Sequence, residues 1–337
     1  MSGTHIADNS APARISRRNV LKILAATAAL PAGVLLLRGR AAAPAPVQWH
    51  GETLGARASL TLWHSDPGVA RRTIARMRTE IERLEGVFSL YRSDSEISRL
   101  NRNGALPRPS GDLLTVLDES RRIAEVSGGA FDPTVQPLWN VYAGAGAAVA
   151  TGGPDPAILA EARALTDFTA IDAGPRAIGF GKAGMAITLN GIAQGYITDR
   201  ITDLLRNEGF EQAMVELGET RALGAAPGGQ PFNVGLMNPA APGIVDRAVT
   251  LADEALSVSG GYGMRFGGDA HHIFDPATGR SANRLLDVAV VAPRAIHADA
   301  LSTAIFVAGE QRASDILRAY PPARAMITRS DGSTATL

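Results

Sequence analysis

The sequence contains no cysteine. Its absence excludes disulfide bonds, catalysis by a thiolate, zinc sites built on cysteine and lipid attachment to an N-terminal cysteine. It is compatible with an oxidising compartment, in which a free thiol is a liability.

An excess of charge of either sign is also missing. The 33 Lys and Arg residues balance 33 Asp and Glu residues, so no overall field attracts nucleic acid or an anionic membrane. Aromatic residues make up only 5% of the chain, which gives no indication of a large exposed recognition patch. The P-loop pattern G-x-x-x-x-G-K-S/T does not occur, which argues against that kind of nucleotide site. We expect no nucleic-acid partner.

The first 43 residues have the pattern of an export signal. Arg17-Arg18 precedes a modest apolar stretch, Ile23 to Leu37, and Ala41-Ala42-Ala43 offers small residues for cleavage. The apolar stretch is too short, and too interrupted by a proline and a glycine, for a comfortable membrane span. We predict a twin-arginine signal peptide over residues 1–43, a periplasmic mature protein and no stable membrane insertion after cleavage. An uncleaved anchor and a buried core helix are the alternatives.

Residues 44–337 are predicted to form one compact unit. Hydrophobic residues make up 45% of the chain and charged residues 20%, which is typical of a packed globular protein. Apolar periodicity predicts helices over 68–86, 112–126 and 191–207, whereas short strands dominate the second half. That order indicates an α+β fold without the regular alternation of a doubly wound parallel sheet.

A short helix is predicted just after Ser93. Ser93 and Glu96 match the capping-box pattern of a helix start. Ile97 and Leu100 would form its inward face, and Asn103-Gly104 predicts its end.

A carboxylate and a hydroxyl lie four residues apart within the otherwise apolar stretch HADALSTAIFVAG at 297–309. In a helix, Asp299 and Thr303 would lie on one face. Together they suit a hard cation such as Mg²⁺, which takes oxygen ligands in octahedral geometry. The alternative is an ordinary helix in which the Thr303 hydroxyl bonds back to the preceding turn. The spacing alone leaves both open.

Other stretches contain residues that packing alone does not require. They are SGGAFDPTV at 127–135, NGIAQGY at 190–196, SVSGGY at 257–262 and HHIFDPATG at 271–279. Glycines let a backbone approach a ligand closely, and N–H groups near helix starts favour phosphate. The alternatives are turns, helix caps and, for the second stretch, tight helix–sheet packing. Of the adjacent histidines, at most one should face a site, because successive strand side chains point to opposite faces.

Taken in order, these stretches resemble the ApbE family of FAD:protein FMN transferases. The matching blocks are FSLYRSDSEISRLN (88–101), GGAFDPTVQPLWNVY (128–142), NGIAQGYITD (190–199), MVELGETRALG (214–224), ALSVSGGY (255–262), HHIFDPATG (271–279) and HADALSTA (297–304). They span nearly the whole mature chain. With the twin-arginine pattern and no cysteine for lipid attachment, the chain is most similar to the NosX-type branch, which is associated with the nitrous-oxide reductase system.

The resemblance implies both a fold and a reaction. The fold would be α+β, ApbE-like (T-fold-like), with a mixed, largely antiparallel sheet packed with helices in a single catalytic unit. With Mg²⁺ bound, FMN would pass from FAD to a Ser or Thr hydroxyl of a target flavoprotein through a phosphoester bond, and AMP would leave. The implied partners are FAD and a membrane-associated or periplasmic target flavoprotein.

The resemblance also assigns residues. The magnesium ligands would be Asp299, Thr303 and the backbone carbonyl of Gly191. Asp299 and His272 would be catalytic, with His272 either moving the proton of the acceptor hydroxyl or holding a phosphate. The FAD site would draw on Tyr91, Ala130, Phe131, Asp132, Gln194, Ser259, Gly260, His272 and Ile273.

Several positions depart from the family's commoner pattern. Thr188 stands where Asp is common, Gln194 where Lys is common, Gly218-Glu219-Thr220 where Gly-Gly-Asp or Gly-Gly-Glu is usual, and Leu54-Gly55-Ala56 where Met-Gly-Thr is usual. Losing the Lys removes a positive charge near the phosphates. Two alternatives therefore stay open: a non-catalytic periplasmic protein that binds or donates FAD, and a Mg²⁺-dependent FAD pyrophosphatase that uses water as the acceptor.

Overall fold

The computed structural model describes residues 45–337, apart from residues 147, 148, 150, 151 and 242. The predicted signal peptide at residues 1–43 lies outside this range. Within the range, no helix is both long enough and apolar enough to span a membrane.

Short strands concentrate in the second half of the chain, as the sequence predicts. In chain order they are β1 (Val47–Thr53), β2 (Ala56–Leu62), β3 (Ala105–Pro107), β4 (Ile171–Ala173), β5 (Ala177–Phe180), β6 (Ala213–Glu216), β7 (Thr220–Leu223), β8 (Phe232–Met237), β9 (Val245–Leu251), β10 (Ala255–Gly260), β11 (Arg265–Gly267), β12 (Ala270–His271), β13 (Phe274–Asp275), β14 (Arg280–Ser281), β15 (Leu285–Ala292), β16 (Arg324–Arg329) and β17 (Thr334–Thr336).

Helices occupy most of the first half and return near the C-terminal end. In the part of the chain that is described they are α1 (Pro67–Phe88), α2 (Glu96–Asn103), α3 (Gly111–Ser127), α4 (Gln136–Ala145), α5 (Pro156–Ala164), α6 (Ala193–Asn207), α7 (Ala295–Ala308) and α8 (Glu310–Arg318), with 3-10 turns at Pro133–Val135 and Phe168–Ala170.

An antiparallel sheet of eight strands forms the centre of the molecule. Its order is β1-β2-β6-β7-β10-β15-β16-β17, and each neighbouring pair is antiparallel. Alternation along β2 separates the two faces of the sheet. Leu60 and Leu62 are buried in the core with helix residues such as Met77, whereas Arg57 and Ser59 point to the other side. The α+β class and the largely antiparallel sheet are as predicted.

A hairpin of β8 and β9 covers part of that other side. Its apolar side chains pack on the central strands, among them Phe232 on the same cluster as Met214 of β6. Arg247 of β9 anchors the hairpin, since it donates to Asp287 at 2.9 Å and to Thr328 at 2.6 Å. The hairpin leaves the outward side chains of β1 and β2 exposed or half-buried.

A buried aspartate on α6 fixes the start of α7. The carboxylate of Asp199 accepts the N–H groups of Ala295 at 2.8 Å and Ile296 at 3.1 Å, which have no partner within their own helix. It also pairs with the buried Arg221 and, at 3.1 Å, with Arg294. A negative charge at a helix start is favourable, so this contact sets the position of α7, the helix that carries Asp299 and Thr303.

Some predicted details of secondary structure are wrong. The cap of α2 is Ser95, whose hydroxyl accepts the N–H of Ser98 at 3.2 Å, and not Ser93. Glu96 accepts the N–H of Ser110 at 2.9 Å instead of closing a capping box. The capping-box pattern was misleading because Glu96 found a tertiary partner. Gly104, in the left-handed conformation, ends the helix as predicted.

Candidate active site

A cleft of about 1150 Å³ lies between the sheet, the starts of α4 and α6, and one side of α7. The structure brings to this one cleft every residue that the sequence assigns to flavin, metal or catalysis: Tyr91, Ala130, Phe131, Asp132, Gly191, Gln194, Ser259, Gly260, His272, Ile273, Asp299 and Thr303. What these residues bind stays a prediction, but the structure shows that they line a single cleft.

Two carboxyl groups are buried next to each other in the cleft. Asp299 is 3% exposed and Glu219 is 8% exposed. Burial raises the pKa of Asp299 to about 7, against the smaller opposing effect of the Gly195 N–H group. Burial also raises the pKa of Glu219 well above its usual value, and the negative charge of Asp299 adds to the shift. Among the described residues, neither carboxyl group is paired with a Lys or Arg, so the pair lacks a neutralising charge.

A chain of hydroxyl groups joins α7 to β10 beneath these carboxyl groups. Ser302 donates to the carbonyl oxygen of Asp299 at 2.8 Å. The hydroxyl of Ser259 lies 2.8 Å from that of Ser302 and 3.0 Å from that of Thr303, and Ser257 approaches Ser302 at 3.2 Å. Thr303 therefore bonds across to β10, and it is Ser302 that bonds back along the helix.

Gly191 provides a backbone surface beside Thr303. A Cβ placed on Gly191 would lie 3.2 Å from the Thr303 hydroxyl oxygen and 3.4 Å from the ring of Phe131. A side chain here would thus occupy the space between the backbone and the hydroxyl. Phe131 itself is buried, and its N–H donates to Ser127 at 3.0 Å.

These groups fit a hard divalent cation. Asp299, Thr303 and the Gly191 carbonyl are the oxygen donors that Mg²⁺ prefers, and water usually completes its octahedral coordination. A buried carboxyl pair without a cationic neighbour is costly unless a positive charge is supplied. The described residues contain no group of three or more His, Cys, Asp or Glu that could hold a metal. The predicted set is of a different kind, with a single carboxylate, a hydroxyl and a carbonyl.

The adjacent histidines separate as predicted, one into the core and one into the cleft. The buried His271 places Nε2 2.9 Å from the carbonyl oxygen of Ala282, so its role is structural. His272 lines the cleft, and its Nδ1 lies 3.2 Å from the carbonyl oxygen of Met264. Since a carbonyl only accepts, Nδ1 carries the proton and Nε2 keeps its lone pair. Burial lowers the pKa of His272 to about 4, so the ring is neutral at pH 7.

Gln194 and Tyr91 contact glycines at the cleft. A Cβ on Gly218 would lie 2.5 Å from the amide carbon of Gln194, so a side chain at position 218 would displace the Gln194 amide. Tyr91 is 72% exposed, and its ring would approach a Cβ on Gly55 to 3.5 Å. An exposed aromatic ring at the edge of a cleft is available for stacking on a planar ligand.

Asp132 lines the cleft but uses its carboxylate to organise the backbone. One oxygen accepts the N–H of Thr134 at 2.8 Å and its hydroxyl at 2.5 Å. The other accepts the N–H of Phe168 at 3.2 Å. The geometry therefore gives Asp132 a positioning role for the segment that begins with Ala130.

A family model described as the ApbE family matches residues 54–327. The chain belongs to the ApbE family. It is 33% identical over 279 residues to the FAD:protein FMN transferase of Treponema pallidum (strain Nichols), a match covering 75% of this chain and 76% of that protein. It is 31% identical over 312 residues to the FAD:protein FMN transferase of Vibrio cholerae serotype O1, covering 89% and 92%. The resemblance to ApbE proteins is confirmed, whereas the NosX-type branch stays a prediction.

Solved ApbE structures share the fold. The flavin transferase ApbE from Vibrio cholerae superposes with a TM-score of 0.72 at 27% identity, covering 87% of this chain and 97% of that one. The ApbE protein from Thermotoga maritima gives a TM-score of 0.74 at 27% identity, covering 86% and 96%. The predicted ApbE-like fold is therefore confirmed.

Reasoning from the sequence missed several residues that shape this site. In the sequence, Glu219 is only a departure from the ApbE pattern, yet it is the carboxyl group that faces Asp299. Asp199 lies in the matching block 190–199 and its partner Arg221 in the block 214–224, but the sequence assigns no role to either residue. Buried carboxylates in a helix pattern are rare unless paired, so an Asp at the apolar spacing of α6 was the available signal.

Proposed function

We propose that this protein is an enzyme, a FAD:protein FMN transferase, which moves FMN from FAD to a Ser or Thr hydroxyl of a target flavoprotein. The observation that carries the proposal is the convergence of the ApbE blocks on one cleft that holds a buried, un-neutralised carboxyl pair. Membership of the ApbE family and the names of its relatives support the same activity.

In the reaction, the acceptor oxygen attacks the phosphorus of the FMN half of FAD. The new phosphoester bond forms as the pyrophosphate P–O bond breaks, and AMP leaves with the bridging oxygen. The proton of the acceptor hydroxyl must go to a base. His272 is neutral with a free Nε2, so it can accept that proton if the hydroxyl comes within hydrogen-bond distance.

Phosphoryl transfer depends chiefly on positioning and on neutralising charge. A bound Mg²⁺ would supply that neutralisation and hold the phosphate oxygens in place. Asp299, Thr303 and the Gly191 carbonyl would hold the ion. Gln194, at the position where Lys is common, contributes no charge, which makes the proposed reaction more dependent on the metal.

The twin-arginine pattern at Arg17-Arg18 supports action in the periplasm, on a periplasmic or membrane-associated flavoprotein. The similarity of the blocks to the NosX-type branch supports maturation of a flavoprotein linked to nitrous-oxide reductase. The periplasmic location and the link to nitrous-oxide reductase are both parts of the proposal.

The test is to incubate the protein with FAD and Mg²⁺, with and without an unflavinylated flavoprotein domain that carries a Thr acceptor. Transfer predicts AMP release that depends on the domain, together with a mass increase of one FMN on the domain. Free FMN and AMP at equal rates without the domain would identify a pyrophosphatase instead. Bound FAD with neither product would identify an accessory protein.

A further inference from the structure

One wall of the cleft is formed by residues that are assigned neither to flavin binding nor to metal binding. The outward side chains of β1 and β2 and the end of β6 line the same cleft, and they are polar: Gln48, His50, Glu52, Arg57, Ser59 and Glu216. We call this surface the polar face. On the opposite side of the same strands, residues such as Leu60 and Val215 are buried in the core.

The polar face belongs to the same cleft as the predicted FAD residues. Small-molecule pockets usually measure roughly 300–1,000 Å³. This cleft, at about 1150 Å³, exceeds that range, and the polar face adjoins the wall formed by the predicted FAD residues. A second substrate bound there would share one continuous space with the first.

Three polar side chains form a row across the polar face. His50 lies directly opposite Ser59, and Ser59 lies directly opposite Glu216, in the antiparallel register of β1, β2 and β6. The Ser59 hydroxyl donates to the Glu216 carboxylate. Glu216 is half-buried, and in the part of the chain that the structure describes no Lys or Arg is paired with it. The Glu216 carboxylate can therefore accept a further hydrogen bond from a bound partner.

The charges of the polar face select against phosphate. Glu216 would repel the pyrophosphate of FAD, whereas it would attract N–H donors or a basic side chain. The charge of Glu52 is partly balanced by Arg57, its direct neighbour across the strands. The polar face therefore favours a polypeptide rather than the nucleotide.

The strand β1 forms the edge of the sheet among the described residues. An edge strand offers unpaired N–H and C=O groups to an extended chain. A segment paired with β1 would place alternate side chains on the cleft side, beside His50.

We propose that the polar face is the docking surface for the acceptor segment of the target protein. The segment is extended, pairs with β1 beside His50 and continues over the polar face, where its hydrogen-bond donors reach Ser59 and Glu216. Its acceptor hydroxyl then enters the cleft. This inference rests on the proposed flavin transfer, for which it names the partner's binding surface.

The experiment uses an unflavinylated flavoprotein domain with a Thr acceptor and a copy in which that Thr is replaced by Ala. The copy binds without reacting, so its Kd for the FAD-loaded protein measures docking separately from chemistry. Two variants are tested. One is Glu216→Gln, and the other is His50→Ala, at a residue that is exposed on β1. Glu161→Gln is the matched control, because Glu161 is exposed on α5 and does not line the cleft.

Glu216→Gln replaces a charged acceptor by a neutral one, and this loss of charge should weaken docking of the Thr→Ala copy about tenfold. The KM for the Thr domain should rise in parallel, while the affinity for FAD stays unchanged and the control matches the wild type. Amide exchange along β1 should slow when the copy binds. Unchanged docking in both variants would overturn the inference, as would a loss of FAD affinity in both, which would assign the polar face to the flavin.

The two proposals fail differently. If the wild type transfers FMN and both variants keep the wild-type KM, the docking surface is wrong and the flavin transfer stands. If the wild type binds the copy through the polar face but forms no FMN adduct on the Thr domain, the docking surface stands and the flavin transfer is wrong.

Discussion

The N–H of Gly195 donates to the Oδ2 atom of Asp299 at 3.0 Å, which ties the first turn of α6 to the interior of α7. The contact requires glycine. A Cβ on residue 195 would lie 2.3 Å from the carbonyl oxygen of Ala295 and 2.8 Å from the Cβ of Asp299. The sequence left tight helix–sheet packing open for this stretch, but Gly195 packs tightly against another helix, and this contact positions the candidate metal ligand as well.

The first prediction concerns this close approach. Gly195→Ala should destabilise the fold by about 1–3 kcal/mol, because the added methyl overpacks the α6–α7 contact. Urea unfolding measures the change. Gly86→Ala in α1 is the control, since a Cβ there meets none of the described residues within 4 Å, and it should stabilise by about 0.5–1 kcal/mol. Equal effects of the two substitutions would contradict the packing account.

The second prediction concerns the buried ion pair at the start of α7. Asp199→Asn leaves Arg221 buried without its partner, which typically costs about 3–5 kcal/mol. The half-exposed Asp203, which pairs with Arg206 at 3.3 Å, is the control, and Asp203→Asn should cost about 0–1 kcal/mol. Denaturant midpoints distinguish the two. A small effect at Asp199 would show that α7 is held by other contacts.

The third prediction is a pH dependence of the metal-free protein. The pKa of Asp299 is about 7 in the folded state, above its value in the unfolded chain, so the folded state holds the proton more tightly. Its favourable contribution is complete below about pH 4 and is lost as pH rises through about 7. The difference in Tm between wild type and Asp299→Asn, measured in EDTA from about pH 5 to 8, should therefore grow with pH in favour of the variant. A constant difference would contradict the raised pKa.

The same shift predicts competition between protons and Mg²⁺. Below about pH 7 the ion must displace the proton from Asp299, so its apparent affinity should fall as pH falls. Calorimetric titration with Mg²⁺ at about pH 6 and 8 measures this. Equal affinity at both pH values would show that the ion binds elsewhere.

The fifth prediction separates the two roles considered for His272. If the ring takes the proton of the acceptor hydroxyl, His272→Gln should lower the transfer rate by about 10²–10⁴-fold and leave the Kd for FAD unchanged. Because its pKa is about 4, protonation of His272 should not reduce transfer between about pH 6 and 8. A weakened Kd for FAD with a normal rate at saturation would assign His272 to holding a phosphate.

Apolar periodicity predicts α1, α3 and α6 to within two residues at each end, whereas it leaves the strands β1 and β2 unpredicted. The spacing of Ile97 and Leu100 set the inward face of α2, and Asn103-Gly104 marked its end. Local signals failed where a tertiary partner competed, as when Glu96 turned to the N–H of Ser110. A capping-box pattern spans only a few residues, and these residues do not reveal that Glu96 contacts Ser110 instead.

The resemblance to the ApbE family identified which residues belong to the candidate site. It did not show how those residues contact one another. The buried pair joins Asp299 of α7 to Glu219, which lies 80 residues earlier in the sequence. The row of His50, Ser59 and Glu216 exists only once the register of β1, β2 and β6 is known. Such relationships depend on how distant segments pair, which the sequence of each segment leaves undetermined.

The most direct test of the account is the intact mass of an acceptor domain after incubation with FAD, Mg²⁺ and either the wild type or Asp299→Asn. The wild type should add one FMN to the domain and release an equal amount of AMP. The variant should do neither while keeping a folded structure, since it lacks the one charged ligand of the predicted metal site. An FMN adduct formed at the wild-type rate by Asp299→Asn would contradict the central claim.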